Sequence, residues 1–132
     1  MVPFRKQITL PNDCSCSIEQ ICEDMVKIII GSGYEFDVED AEYIVDWMFK
    51  LGGGKRFKTL VVVEEGVLPT PEAQIYSSSE EGSKYKSAEA FVVKTIAQRL
   101  IGNFIVRFHK PQLPTKVFNE AEPALVWLNN QP

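Results

Sequence analysis

Six consecutive residues, Lys58-Thr59-Leu60-Val61-Val62-Val63, limit what this chain can become more than any other stretch. The run is rich in β-branched residues and is apolar from Leu60 on, the pattern of a central strand covered on both faces. A strand buried on both sides needs helices above and below its sheet, which is the layer plan of an α/β domain. The preceding residues supply one such helix. Val38, Ala41, Val45, Met48 and Phe49 recur at spacings of three, four and seven, and Ile44 and Leu51 widen the stripe. Asp37 is placed to cap this helix, with Asp40 in an acidic first turn that the helix dipole favours. Gly52-Gly53-Gly54 stops it, because glycine takes the left-handed conformation with which helices often end. Upstream, Met25-Val26-Lys27-Ile28-Ile29-Ile30 reads as a second β-branched strand, so strand, helix and strand make a β-α-β crossover.

The flanking segments extend this core. Phe4 to Leu10 alternates loosely and ends at the turn cluster Pro11-Asn12-Asp13. Cys14 to Ile21 alternates as a half-exposed strand does, and Glu23-Asp24 turns it into Met25 as a hairpin. A helix from Ile18 to Ile30 is the alternative. Gly31-Ser32-Gly33-Tyr34 breaks the strand before the first helix. After the central strand, Glu64 to Thr70 is a loop, and Pro71 can open a helix because its missing N–H would be unpaired there anyway. That helix runs from Glu72 to Glu81 and ends at Gly82-Ser83.

From Ser87 the pattern is strand, helix, strand, helix. Ala88 to Val93 is a buried strand and Lys94 to Leu100 a helix, with Gly102-Asn103 as a break or turn. Phe104 to Phe108 is open between helix and strand. Pro114 to Phe118 is an edge-like strand, and Asn119 to Asn130 a helix with Asn119 and Glu122 as its capping box. Ala121, Ala124, Leu125 and Leu128 form that helix's buried face. The expectation is a single α/β domain over residues 1–132, with a mixed sheet of four to five strands and about four helices.

Charge and cysteine usage exclude several classes. A net charge of −4 and a pI near 5.0 argue against nucleic acid, and the cluster Lys55-Arg56-Phe57-Lys58 is too short to reverse that. No apolar run is long enough to span a membrane, and Met1 to Lys6 lacks the apolar core of a signal peptide. Cys14, Cys16 and Cys22 are an odd count close together, unlike a disulfide framework, and point to a reducing, cytoplasmic compartment.

No catalytic, metal-ligating or cofactor-binding residue is assigned. Gly52-Gly53-Gly54-Lys55 has a helix before it and a strand after it, the reverse of a phosphate-binding loop. Three cysteines and His109 do not make a recognisable zinc set, and nothing orients His109 on a cysteine nucleophile. Glu64 and Glu65 end the central strand, where α/β sheets place ligands, but adjacent residues point to opposite sides and form no dyad. With Thr70 they define a candidate regulatory loop. Trp47 and Trp127 read as partly buried packing residues that, where exposed, would mark a surface for a protein partner or a homodimer.

The order of elements resembles the STAS or SpoIIAA-like fold, the family of anti-sigma-factor antagonists and related bacterial domains. Phe91-Val92-Val93 is similar to that family's late central strand, Thr95 to Ile101 to the helix after it, and Gly102-Asn103-Phe104 to its turn. Val117-Phe118 is similar to the last short strand and Glu120 to Leu128 to the C-terminal helix. The resemblance implies a non-enzymatic regulatory or interaction module of a bacterial cytoplasm. Family antagonists carry an Asp-Ser pair, phosphorylated on the serine, in the loop after the central strand. The matching loop here, Val67-Leu68-Pro69-Thr70-Pro71, lacks that pair, and Thr70 is the hydroxyl in its place. Other proteins of this fold resemble the CRAL-TRIO lipid-binding group, which makes a small apolar ligand or lipid the alternative expectation.

Overall fold

The computed structural model describes residues 4–31, 33 and 35–132; Met1 to Pro3, and Ser32 and Tyr34 of the expected break, lie outside the described residues. In chain order the described residues form β1 (Arg5–Thr9), β2 (Ser15–Cys22), β3 (Met25–Gly31), β4 (Glu35–Phe36) and α1 (Val38–Gly52). There follow β5 (Phe57–Val63), β6 (Leu68–Pro69), α2 (Pro71–Ser78), α3 (Glu80–Ser83) and β7 (Lys86–Val92). The chain closes with α4 (Ile96–Phe104), a π-helical turn (Ile105–His109), β8 (Thr115–Phe118) and α5 (Ala121–Asn129).

Among the described residues the main sheet has six strands in the order β1-β2-β3-β5-β7-β8. It is mixed, as expected, but longer than the four or five strands read from the sequence. β1, β2 and β3 form an antiparallel meander, and β5, β7 and β8 add in parallel. β3 and β5 are the two middle strands, joined through α1, which is the crossover that the apolar runs demanded. β4 and β6 form a separate parallel pair, Glu35 opposite Leu68 and Phe36 opposite Pro69. They tie together the loops that leave the C-terminal ends of β3 and β5.

Strand alternation sorts the core into two layers. Val26, Ile28, Phe57 and Val61 face the side where Ile44 and Met48 of α1 pack. Met25, Leu60, Val62, Ala88 and Ala90 face the other side and meet Ala124 and Leu128 of α5. The alanines of β7 keep that surface low, so α5 seats closely; burying Leu128 fully is worth about 2 kcal/mol.

α1 follows the sequence closely. Asp37 caps it, and Asp40 completes a capping box by accepting the Asp37 N–H at 2.8 Å. Asp40 is buried rather than a solvated first-turn charge, because its carboxylate also accepts the backbone N–H and side-chain amide of Asn12, both at 2.9 Å. Phe49, expected on the apolar stripe, is instead 50% exposed and leans on Tyr85. Gly53 ends the helix at φ +61, as the glycine run required.

Four further local expectations are corrected. The helix expected from Glu72 to Glu81 is two helices. Ser79 ends α2 and caps α3, its Oγ donating to the Tyr76 carbonyl and accepting the Gly82 N–H at 3.2 Å. Gly102-Asn103 is not a break. α4 runs through both residues, and the glycine is there for close approach, since a Cβ would stand 2.9 Å from Val117 Cγ2. Phe104 to Phe108 resolves as helix, and His109, which the following Lys110-Pro111 would place in a loop, ends the π turn instead. The capping box at Asn119 is also absent. Glu120 is the N-cap of α5 without a side-chain cap, and Asn119 Oδ1 instead accepts from Arg99 Nη2 at 2.6 Å.

Candidate functional site

The loops at the C-terminal ends of β3 and β5 are fixed by one hydroxyl–carboxylate contact. Thr70 caps α2, its Oγ1 accepting the Ala73 N–H at 3.1 Å, and the same hydroxyl donates to Asp37 Oδ1 at 2.8 Å. Asp37 is the cap of α1, so the starts of two helices are joined there. α4 is tied to the same region through Gln98, which is 4% exposed. Its Nε2 donates to the carbonyls of Glu64 at 2.7 Å and Val67 at 3.0 Å, and its Oε1 accepts the Lys94 N–H at 2.8 Å.

Beneath these ties lies a cavity of about 110 Å3 between the sheet and α1, α2 and α4. Ile28, Val61 and Phe91 line it from the sheet, and Ile44, Ala73 and Ile105 from the helices. Its lining is mainly hydrocarbon, with a small number of polar groups. Ser78 is one of them. It is 7% exposed, and its Oγ is buried with no hydrogen-bond partner among the described residues. A buried hydroxyl without a partner costs on the order of 1–3 kcal/mol, so its place on a cavity wall calls for a reason.

The second polar feature is an ion pair on the sheet. Lys86 Nζ stands 2.7 Å from Glu89 Oε2, and Thr59 Oγ1 donates to the same oxygen at 3.0 Å. Both charged residues line the cavity and are buried. Residues three apart on a regular strand point to opposite faces. Here Phe57 and Lys58 of β5 pair with Lys86 and Ala88 of β7, so Ser87 is an inserted residue. That bulge reverses the alternation and puts Lys86 and Glu89 on one face. Tyr76 also lines the cavity, and burial, followed by the Glu42 carboxylate, pushes its phenol above the usual value.

The residues singled out from the sequence are partly brought together. Glu64 and Thr70 share the loop cluster above the cavity, Glu64 through its carbonyl rather than its carboxylate. Glu65 is exposed in the turn before Gly66. Trp47 and Trp127 do not share a surface, because α1 and α5 cover opposite faces of the sheet. Trp47 packs 5.9 Å from the Phe4 ring with Lys50 Nζ 4.7 Å from its centroid, and Trp127 lies 5.9 Å from Phe118. Cys14 and Cys16 are buried under the β1–β2 side of the sheet, while Cys22 is exposed. Burial, with Cys14 nearby, pushes the Cys16 thiol up to about 12. Among the described residues no group of three or more His, Cys, Asp or Glu is placed to hold a metal ion.

Lys86, Glu89 and Gln98 were not singled out from the sequence, and Ser78 stands out there only as one of the run Ser77-Ser78-Ser79, hydroxyls near the loop after the central strand that phosphorylation could charge. Glu89 carried a signal, an acidic residue inside the otherwise apolar run Ala88 to Val93, which requires a buried partner. Lys86 could not be named as that partner without the bulge. Nothing in the serine run marks Ser78 over Ser77 or Ser79.

A family model described as a domain of unknown function, DUF7793, matches residues 19–131. No curated protein matches the chain. Among solved structures the chain is similar to an uncharacterised protein of the DUF3478 family with a SpoIIAA-like fold, from Shewanella loihica PV-4. The two share 15% identity at a TM-score of 0.58, over 97% of this chain and 98% of that one. Identity so low speaks for the fold alone, and the fold is SpoIIAA-like, as the order of elements implied. No helix among the described residues is long and apolar enough to cross a membrane.

Proposed function

We propose that this chain, which belongs to the DUF7793 family, is a non-enzymatic, single-domain module that encloses a small, largely apolar ligand between its sheet and helices α1, α2 and α4. The observation that carries this reading is the Ser78 hydroxyl, buried without a partner among the described residues on the wall of an apolar cavity. Ligand sites combine apolar walls with a few polar groups that fix orientation. A ligand with one hydroxyl or carbonyl would pair with Ser78 and fill the hydrocarbon space beside it. The volume, about 110 Å3, is somewhat below the roughly 150 Å3 of an apolar cavity that takes up benzene. The occupant is therefore of single-ring or short-chain size, well below a two-chain lipid.

A non-enzymatic role is supported by how the polar groups are spent. Among the described residues Ser78 has no base hydrogen-bonded to it, and Lys86 and Glu89 are joined to each other. The regulatory reading implied by the family resemblance meets the ligand reading at Gln98. Ile101 and Ile105 line the cavity from the α4 side, and Gln98 carries any displacement of α4 to the loop that holds Glu64, Glu65 and Thr70. That loop is then the surface a protein partner would sense, with Trp47 and Trp127 as separate contacts for a partner or a second copy.

The test is binding of small apolar probes, benzene and short alcohols, followed by methyl shifts of the cavity residues in NMR spectra. Ala73 is fully buried on the cavity wall, so Ala73→Leu should fill the space and abolish the shifts. Wild-type methyl signals unmoved by every probe, with Ala73→Leu simply more stable, would identify the cavity as a packing gap and sink the proposal.

A further inference from the structure

α4 and the π turn present an apolar row outward. Ile96 is 76% exposed, Leu100 65%, Phe104 46% and Phe108 62%. These four residues follow one another at intervals of four and make a continuous row along the helix and the π turn. The inward side of the same segment carries Gln98 and Gly102 together with Ile101 and Ile105, so more of its large apolar side chains face out than in. A surface helix of a globular protein normally packs its hydrocarbon and exposes its polar residues. Single exposed apolar residues need no explanation, whereas a row of four large ones marks a contact surface.

The π turn keeps the row aligned. Steps of four residues drift around an α-helix of 3.6 residues per turn, and the wider turn from Ile105 to His109 offsets that drift. The Phe104 and Phe108 rings consequently lie 4.8 Å apart, centroid to centroid.

Charge defines what the row can face. From Lys94 to Gln112 the chain carries Lys94, Arg99, Arg107 and Lys110 and no acidic residue, in a protein of net charge −4. All four cations are exposed, and Arg99 and Arg107 belong to the helical segment that carries the row. A second copy docked through the same face would set these cations against their own counterparts, since a two-fold contact pairs one patch with itself. A surface that is apolar at the centre and negative around it fits instead.

We propose that the segment from Ile96 to Lys110 docks on an anionic lipid bilayer, lying in the plane of the interface with Ile96, Leu100, Phe104 and Phe108 inserted and Arg99, Arg107 and Lys110 at the headgroups. Basic amphipathic helices bind membranes in this way, through buried apolar area and attraction to anionic lipid together. Exposure at both ends of the row, Ile96 and Phe108, sets the helix parallel to the surface rather than tip-first. The proposal stands whether or not the cavity is occupied.

The experiment is co-sedimentation of the full chain with vesicles of phosphatidylcholine alone and of phosphatidylcholine with phosphatidylserine, at low and high salt. Wild type should bind the anionic vesicles, more weakly as salt rises. The double variant Leu100→Ser/Phe108→Ser should lose binding by at least about a hundredfold while keeping its melting temperature, because both positions are exposed. Arg107→Gln/Lys110→Gln should lose roughly thirtyfold, on anionic vesicles only. Failure to bind anionic vesicles at low salt would overturn the proposal, as would equal binding to neutral ones. A wild-type dimer in light scattering that Leu100→Ser/Phe108→Ser converts to monomer would assign the row to a second copy and overturn it too.

Discussion

The side-chain amide of Gln98 donates to the backbone carbonyl of Glu64 across 2.7 Å, joining α4 to the end of the central strand. With the bonds to the Val67 carbonyl and from the Lys94 N–H, one buried residue satisfies three backbone groups that have no place in a helix or ladder. The loop above the cavity owes its position to this tie. Gln98→Ala should cost about 2 kcal/mol, since the Glu64 carbonyl keeps the Val67 N–H at 3.4 Å and the other two bonds are worth on the order of 1 kcal/mol each. Urea denaturation reads the loss. Hydrogen exchange should show faster opening from Glu64 to Thr70, with β3 and β5 unchanged.

The Lys86–Glu89 pair tests how the cavity tolerates charge. Removing one partner strands the other in a largely apolar setting, so Glu89→Ala should destabilise by about 3–5 kcal/mol. Replacing both residues with methionine should cost less than Glu89→Ala alone. A double-mutant cycle by denaturation checks this, and additive losses would mean that the two residues do not act as a pair.

Thiol reactivity should divide the cysteines. Native protein should titrate one fast thiol with a disulfide reagent, Cys22, and release Cys14 and Cys16 only in denaturant. Because the folded Cys16 thiol sits near 12, above its ordinary value, its neutral form is the one the fold favours. Its contribution to stability is complete below the ordinary thiol range and is lost as pH rises from there towards 12. Cys16→Ser should flatten the alkaline limb of the stability profile, and an unchanged limb would remove Cys16 as its cause.

Gly102→Ala separates local preference from packing. Alanine favours a helix over glycine by about 1 kcal/mol, but its Cβ would meet Val117 Cγ2 at 2.9 Å. Overpacking costs about 1–3 kcal/mol, so the net change should be a loss of roughly 1 kcal/mol. Gly102→Ala/Val117→Ala should recover the contact and report the helix preference, read as a smaller shift in midpoint than Val117→Ala alone produces.

Much of the fold was legible because local chemistry and tertiary demand agree. The apolar run Leu60 to Val63 can only be a covered strand, Asp37 and Gly53 bound a stripe of helical period, and the hairpin at Glu23-Asp24 follows from β-branched flanks. Misreadings fell where one residue type serves two purposes. Gly102 reads as a breaker by conformation and acts as a spacer by contact. Asn119 has the chemistry of a cap, but its oxygen is taken by Arg99 from another helix.

The sequence by itself determined the layer plan, the β-α-β core and the SpoIIAA-like order of elements, because period and capping are local properties. Tertiary structure alone decided the cavity, the Lys86–Glu89 pair and the outward face of α4. The bulge at Ser87 depends on register between two strands, and the burial of Ser78 on the sheet beneath it. An amphipathic helix has two sides in sequence, and only the packing of Gln98 and Gly102 against the rest of the chain decides which one faces water.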